Sequence, residues 1–198
     1  MGSVTAADKL ALRGGHPVID LVNTVAWRGD DARRVDNLGD YSDLVGWSRH
    51  AGVVSATEAD ELMRAMRTDT DSAERAVARA KRLREALHAL WADGAQAALR
   101  TISAEYRTAL QHKELRAIDS GIEWIDRQPT VFTPVDRLAV AAVDLITQIS
   151  SDRVKACGDF ACGWLFLDSS HRQNRRWCSA ADCGNRDRAR RHYERARR

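Results

Sequence analysis

Apolar residues recur every three or four positions through most of this chain, the spacing of helices that bury one side. The longest such run lies between Ser72 and Asp93. There Val77, Ala80, Leu83, Leu87, Leu90 and Trp91 form a stripe, interrupted by Arg82, Arg84 and Glu85. Pro17 opens an earlier helix to about Trp27, with Val18, Leu21, Val22 and Val25 on its apolar side. Leu44, Val45 and Trp47 mark a short helix from Ser42 to Ala51, closed by Gly52. Ser55 and Glu58 have the spacing of a capping box and start a helix through Met66. Another helix is expected from Ala95 to about Leu110, beyond the break at Gly94. Val135 to Ser150 is apolar over so wide a face that it belongs in the middle of a bundle.

The period changes twice. From Glu114 to Ile125 the pattern predicts a small β-hairpin, with Trp124 packed on the helices. Trp164 to Leu167 predicts a short strand beneath a last helix over Asn185 to Arg197, which holds neither Gly nor Pro. Met1 to Asp8 is small and polar, and fraying is expected there. The fold class is therefore mainly α: an N-terminal helical domain with a small β-hairpin over residues 10–152, then a small unit over 153–198. No long linker separates the two, so the second is expected to dock on the first. Hydrophobic residues at 44% and charged ones at 30% fit a soluble globular protein. No apolar run approaches the roughly 20 residues that cross a bilayer, so no membrane partner and a cytoplasmic, nucleoid-associated location are expected.

All four cysteines lie in the last quarter, as C-x4-C-x15-C-x4-C: Cys157, Cys162, Cys178 and Cys183. Two short cysteine loops joined by a spacer suit one structural zinc ion, because four soft thiolates fill a tetrahedron and leave no open position. Two disulfides would use the same pairs. The start of the chain does not resemble a signal peptide, and a reducing context, which disfavours disulfides, is expected.

The residues around the cysteines carry a family resemblance. Trp164-Leu-Phe-Leu-Asp168, Arg175-Arg-Trp-Cys-Ser179 and Cys183-Gly-Asn-Arg186 resemble the CGNR zinc finger. Ala180 stands where the family often has Met, and Arg188 where it often has Lys; neither touches the metal set. The resemblance implies a treble-clef-like finger and a DNA-binding transcription regulator. Gly15 to Thr24, with Asp20, Asn23 and Thr24 as an Asp-x-x-Asn-Thr signature, resembles the opening of the ABATE domain. That resemblance, diffuse beyond this helix, implies a stress-induced transcription regulator.

Charge points the same way. Ser169 to Arg198 holds ten arginines and three acids, a net of +7, whereas the whole chain is +3 and its first 168 residues therefore −4. Cation concentrated at one end is the footprint of a polyanion binder, and arginine forks match phosphate and guanine edges. Arg175, Arg176, Arg186, Arg188, Arg190 and Arg191 are the candidate contacts to double-stranded DNA. Substituting Arg186 or Arg190 is expected to weaken binding. The alternative for one or two of these arginines is to offset the charge of the zinc–thiolate cluster.

Asp20, Asn23, Thr24 and Arg84 remain. They could line a pocket for a small-molecule effector, or form a buried hydrogen-bond network that joins the first helix to the rest. For Arg84, surface pairing with a carboxylate is the expectation. No phosphate loop, nucleophile elbow or His-Glu-x-x-His occurs, so no enzyme is expected. The expectation is a DNA-binding regulator with one zinc, whose helical domain senses a ligand or forms a homodimer. The alternatives are an interaction module in which zinc is only a staple, and an RNA binder.

Overall fold

The computed structural model describes residues 7–119 and 121–197. Expectations placed on Met1 to Ala6, Ser120 and Arg198 lie outside the described residues. In chain order the elements are α1 (Pro17–Val22), β1 (Val25–Ala26), β2 (Val35–Asp36), α2 (Tyr41–His50), α3 (Ala56–Met66), α4 (Thr70–Ala92) and α5 (Ala98–Leu110). There follow β3 (Lys113–Ile118), β4 (Gly121–Asp126), α6 (Thr133–Gln148), β5 (Val154–Ala156), β6 (Leu165–Leu167) and α7 (Cys183–Ala196). The six strands pair as three antiparallel ribbons, β1 with β2, β3 with β4 and β5 with β6. Among the described residues no helix is long and apolar enough to cross a membrane.

Helix starts follow local chemistry. Asp40 and Asp43 form a capping box on α2, Ser55 and Glu58 one on α3, and Asp69 accepts the Ser72 amide of α4. Gly52, at φ +73°, ends the α2 segment in the left-handed conformation that glycine adopts without penalty. The core collects Ile19 and Leu21 of α1, Leu44 and Trp47 of α2, Leu83 and Leu87 of α4, and Val135 and Leu138 of α6. Leu165 of β6 joins the same cluster, so the C-terminal unit shares the core of the helical domain.

Three expectations are corrected. α1 ends at Val22, not near Trp27: Asn23 caps it, and the chain then turns into β1, with Trp27 at φ +57°. Ala7–Lys9 is a one-turn 3-10 helix packed on α2 with Ala7 buried, so this part of the N-terminus is not frayed. Trp124 is 43% exposed rather than packed under the helices.

Arg84 is also not on the surface. It is 4% exposed and forks onto both carboxylate oxygens of Asp36 at 2.7 and 2.9 Å, with further bonds to Thr24 and Glu85. Burial pushes the Asp36 carboxyl up, but the Arg84 fork, the Leu38 amide and the Lys81 charge outweigh it and hold the pKa at about 2. A carboxyl depressed in this way contributes stability above its unfolded value of 3.8, and the contribution is lost as pH falls toward about 2. Arg84→Met is therefore expected to destabilise the protein at neutral pH and to flatten the loss of stability between about pH 4 and about pH 2. Urea denaturation of both proteins at each pH measures the difference.

Candidate metal centre

The first cysteine pair sits in the turn of the β5–β6 hairpin. The Cys157 amide donates to the Trp164 carbonyl at 2.8 Å and the Cys162 amide to the Asp159 carbonyl at 2.9 Å. This folds Cys157 to Cys162 into a tight knuckle. Gly163, at φ +66°, turns the chain out of it. The second pair opens α7. Ser179 accepts the Asp182 amide on its hydroxyl and the Gly184 amide on its carbonyl, so Cys183 is placed on the first turn. The Gly158 amide donates to the Arg176 carbonyl at 2.7 Å and ties the two knuckles together.

The four sulfurs are buried and lie within 4.8 Å of one another. Cys162 to Cys178 is 3.7 Å and Cys178 to Cys183 3.5 Å. Zinc–sulfur bonds of about 2.3 Å set tetrahedrally place sulfurs about 3.8 Å apart, so the residues fit the ion. A disulfide needs about 2.05 Å, and all four cysteines are free. Hydrogen bonding with Cys157 and Cys162 pushes the Cys178 thiol up, and burial pushes Cys183 up. A divalent cation removes that conflict by stabilising all four thiolates. Full sulfur ligation makes the site structural.

Cations and polar groups brace the cluster. Arg186 donates to Cys183 Sγ at 2.8 Å and to the Asp159 carboxylate at 2.8 Å, joining α7 to the first knuckle. Arg175 stacks 4.3 Å from the Phe166 ring and donates to the carbonyls of Cys178 and Trp177. Asp168, fully buried, accepts from Lys155, from the Ser170 amide and hydroxyl, and from the Arg175 amide. Those four donors hold its carboxyl well below the usual range and shape the loop that carries Arg175 inward. Asp159 and Asp168 were not among the sequence candidates. The available signal was an acid inside the first cysteine loop and one directly after the apolar strand.

Arg186→Ala is expected to release the metal roughly 10- to 100-fold more readily, the usual effect of removing a group that supports a ligand. Arg188→Ala should leave metal affinity unchanged. Competition with a chromogenic chelator separates the two.

The candidate pocket residues are engaged in docking and internal bonds. Asn23, fully buried, donates to the Leu165 carbonyl at 2.9 Å and accepts the Leu165 amide at 2.8 Å, so α1 clasps β6. β6 lies against α1, and its Phe166 packs with Cys183 on the first turn of α7, the helix beneath which the sequence placed the strand. Asp20 accepts the Gly14 amide at 2.7 Å, and the Leu167 amide donates to the Gly14 carbonyl at 2.8 Å. Thr24 donates to Leu21 and accepts from Arg84. The Trp164 indole donates to the Val25 carbonyl, the Arg28 amide to the Cys162 carbonyl, and Arg13 pairs with Asp182. A cavity of about 230 Å³ opens at this seam, lined by Arg13, Trp27, Trp164 and Arg186 with three of the cysteines.

The six candidate DNA contacts fall into three groups. Arg175 and Arg186 brace the finger. Arg190 and Arg191 both pair with Asp187 on α7. Arg176 and Arg188 are exposed and face no carboxylate: Arg176 lies over the Trp177 ring, and Arg188 meets the Asn185 amide oxygen. Arg172, Arg195 and Arg197 are likewise exposed without an acidic partner among the described residues.

Comparison with known families agrees with this division. Residues 15–149 match the ABATE model, described as "Putative stress-induced transcription regulator". Residues 153–196 match the CGNR zinc finger. No curated protein matches the chain.

Proposed function

This chain belongs to the ABATE family and ends in a CGNR zinc finger; from that premise we propose that it is a DNA-binding transcription regulator. The observation that carries the reading is the net +7 of residues 169–198, displayed on and beside a helix whose first turn holds a zinc ligand. The ion locks α7 to both knuckles. Arg176 and Arg188 then present their forks from a rigid base, and Arg190 and Arg191, held on Asp187, stand next to them. Rigidity matters because ordering flexible cations on DNA costs conformational entropy. Arg175 and Arg186 contribute by holding that base. A single finger covers a small footprint, about 600–1,000 Å², so selectivity requires two copies on a two-fold site. The helical domain then serves to pair the fingers and to fix their orientation.

Arg176→Ala and Arg188→Ala are each expected to reduce the salt dependence of duplex binding by about one unit, as one phosphate contact is lost. Fluorescence anisotropy across a salt series measures it. Selection from a random duplex pool on the zinc-loaded chain, with RNA as competitor, tests the reading itself. An enriched two-fold sequence supports it. Binding that disappears at physiological salt without enrichment favours the alternative in which zinc only staples an interaction module, and preference for the RNA competitor favours an RNA binder.

A further inference from the structure

The β3–β4 hairpin is tied to the helices at its base, where Arg137 of α6 pairs with Asp126, and exposes apolar side chains beyond it. A two-stranded ribbon is marginal in water unless it packs on something or gains strands. Here one face carries Leu115, Ala117, Ile122 and Trp124, because the register pairs Leu115 with Trp124 and Ala117 with Ile122. Leu115, Ile122 and Trp124 are 59%, 73% and 43% exposed, three of the eight large hydrophobic side chains that face solvent among the described residues. Among the described residues no strand pairs with either outer edge of the ribbon, and only at the base of β3 does the Lys113 carbonyl accept the Arg127 Nε, at 3.1 Å. A free edge with an apolar face is a template for another strand.

The edge of β3 is complementary to itself. The Arg127 amide donates to the His112 carbonyl, which makes those two residues a hydrogen-bonded pair. By the alternation of antiparallel ladders, Glu114, Arg116 and Ile118 then point their main-chain groups toward β4, and Leu115 and Ala117 point theirs outward. A second β3, antiparallel with Leu115 on the two-fold axis, meets those outward groups in register. Leu115 then bonds Leu115 of the other copy, and Lys113 faces Ala117. On the apolar face the row runs Trp124, Leu115, Leu115, Trp124. On the other face Glu114 of each chain stands opposite Arg116 of its partner. Within one chain Arg116 already meets Glu114 at 2.8 Å as its neighbour two residues on, and stands opposite Glu123 on β4. Pairing adds two inter-chain charge pairs and sets no like charges directly opposite each other.

We propose that the β3 edge binds a second copy of the same chain, joining two hairpins into a four-stranded antiparallel sheet whose apolar face is continuous across the two-fold axis. The proposal supplies the dimer that the reading above requires, and it is tested without DNA, so either can fail alone.

The zinc-loaded full chain is examined by sedimentation equilibrium across concentration. A species of twice the 22.1 kDa chain mass is expected. A monomer at about 200 µM, a concentration at which a dimer with a Kd near 1 µM is almost wholly assembled, overturns the proposal. On the face that carries Glu114 and Arg116, Glu114→Arg leaves two arginines on β3 and Arg116→Glu leaves two glutamates. Each variant alone is expected to weaken dimerisation about tenfold or more, because like charges then face each other twice across the axis. An equimolar mixture of the two variants is expected to recover a heterodimer, since every pair is again of opposite charge. That recovery also shows that both variants are folded. Dimerisation unchanged in both variants, or a mixture no tighter than either alone, places the dimer elsewhere and overturns the proposal.

Discussion

Chelating the zinc is expected to unfold the C-terminal unit and to loosen the helical domain with it. Beyond the metal ligands, this unit buries few side chains of its own: Phe166, with Trp164 and Trp177 partly covered, packs against the cysteines. A core that small cannot offset the entropy of ordering more than forty residues, at about 1–2 kcal/mol each for the backbone. Metal binding is then folding free energy, and sites of this class contribute on the order of 10 kcal/mol or more. The consequence spreads because β6 lends Leu165 to the main core and Asn23 depends on the Leu165 backbone. The expected record is one zinc per chain, a drop in helix signal on chelation, a red shift of tryptophan emission from Trp164 and Trp177, and a markedly lower Tm. An unchanged melting curve after complete zinc removal would contradict this account.

Replacing Asn23 by alanine is expected to cost about 2–5 kcal/mol while leaving the zinc bound. The residue is fully buried, and its amide satisfies both main-chain groups of Leu165. Alanine leaves that N–H and that carbonyl buried without partners, at about 1–3 kcal/mol each. The polar groups cannot reach water, because α1 and β6 pack directly on one another. Urea denaturation gives the loss. Zinc stoichiometry, together with limited proteolysis between Ser150 and Cys157, then separates undocking from loss of the metal. A variant as stable as the parent would mean that the clasp is replaced by solvent and that the two units are joined more loosely than their contacts imply.

Much of this protein was legible before its structure, for reasons that can be named. The capping box of Ser55 and Glu58 placed the start of α3, because a cap is a local hydrogen-bond pattern that needs no tertiary partner. The helix ending before Gly52 and the hairpin around Gly121 were equally local. The zinc set was legible because four cysteines in two short loops suit one tetrahedral ion, and the expected reducing context disfavours the disulfides that would use the same pairs. The arginines were legible only as a charge density. Their types and spacing did not reveal that Arg175 and Arg186 turn inward, since that depends on the carbonyls of Trp177 and Cys178, the carboxylate of Asp159 and the Cys183 sulfur.

The errors share one cause. α1 was drawn too long because Val25 and Trp27 continue its apolar spacing, yet Asn23 is drawn off to a strand 142 residues away. Arg84 was placed on the surface because charged helix residues usually are exposed, but Asp36 arrives from β2 to pair with it. Trp124 is large and apolar, which favours the core, yet it stays partly exposed at the rim of a cavity that it lines with Val140 and Ala141 of α6.

By itself, the sequence determined where the side-chain-capped helix α3 begins, which four atoms hold the metal, and at which end the positive charge collects. Each follows from interactions within a few residues or from a count. Only the tertiary structure decided which arginines brace the finger and which face solvent, what Asn23 is for, and that the finger and the helices share one core. Those outcomes depend on buried polar groups finding partners far along the chain, and burial is a property of the packed molecule rather than of any residue in it.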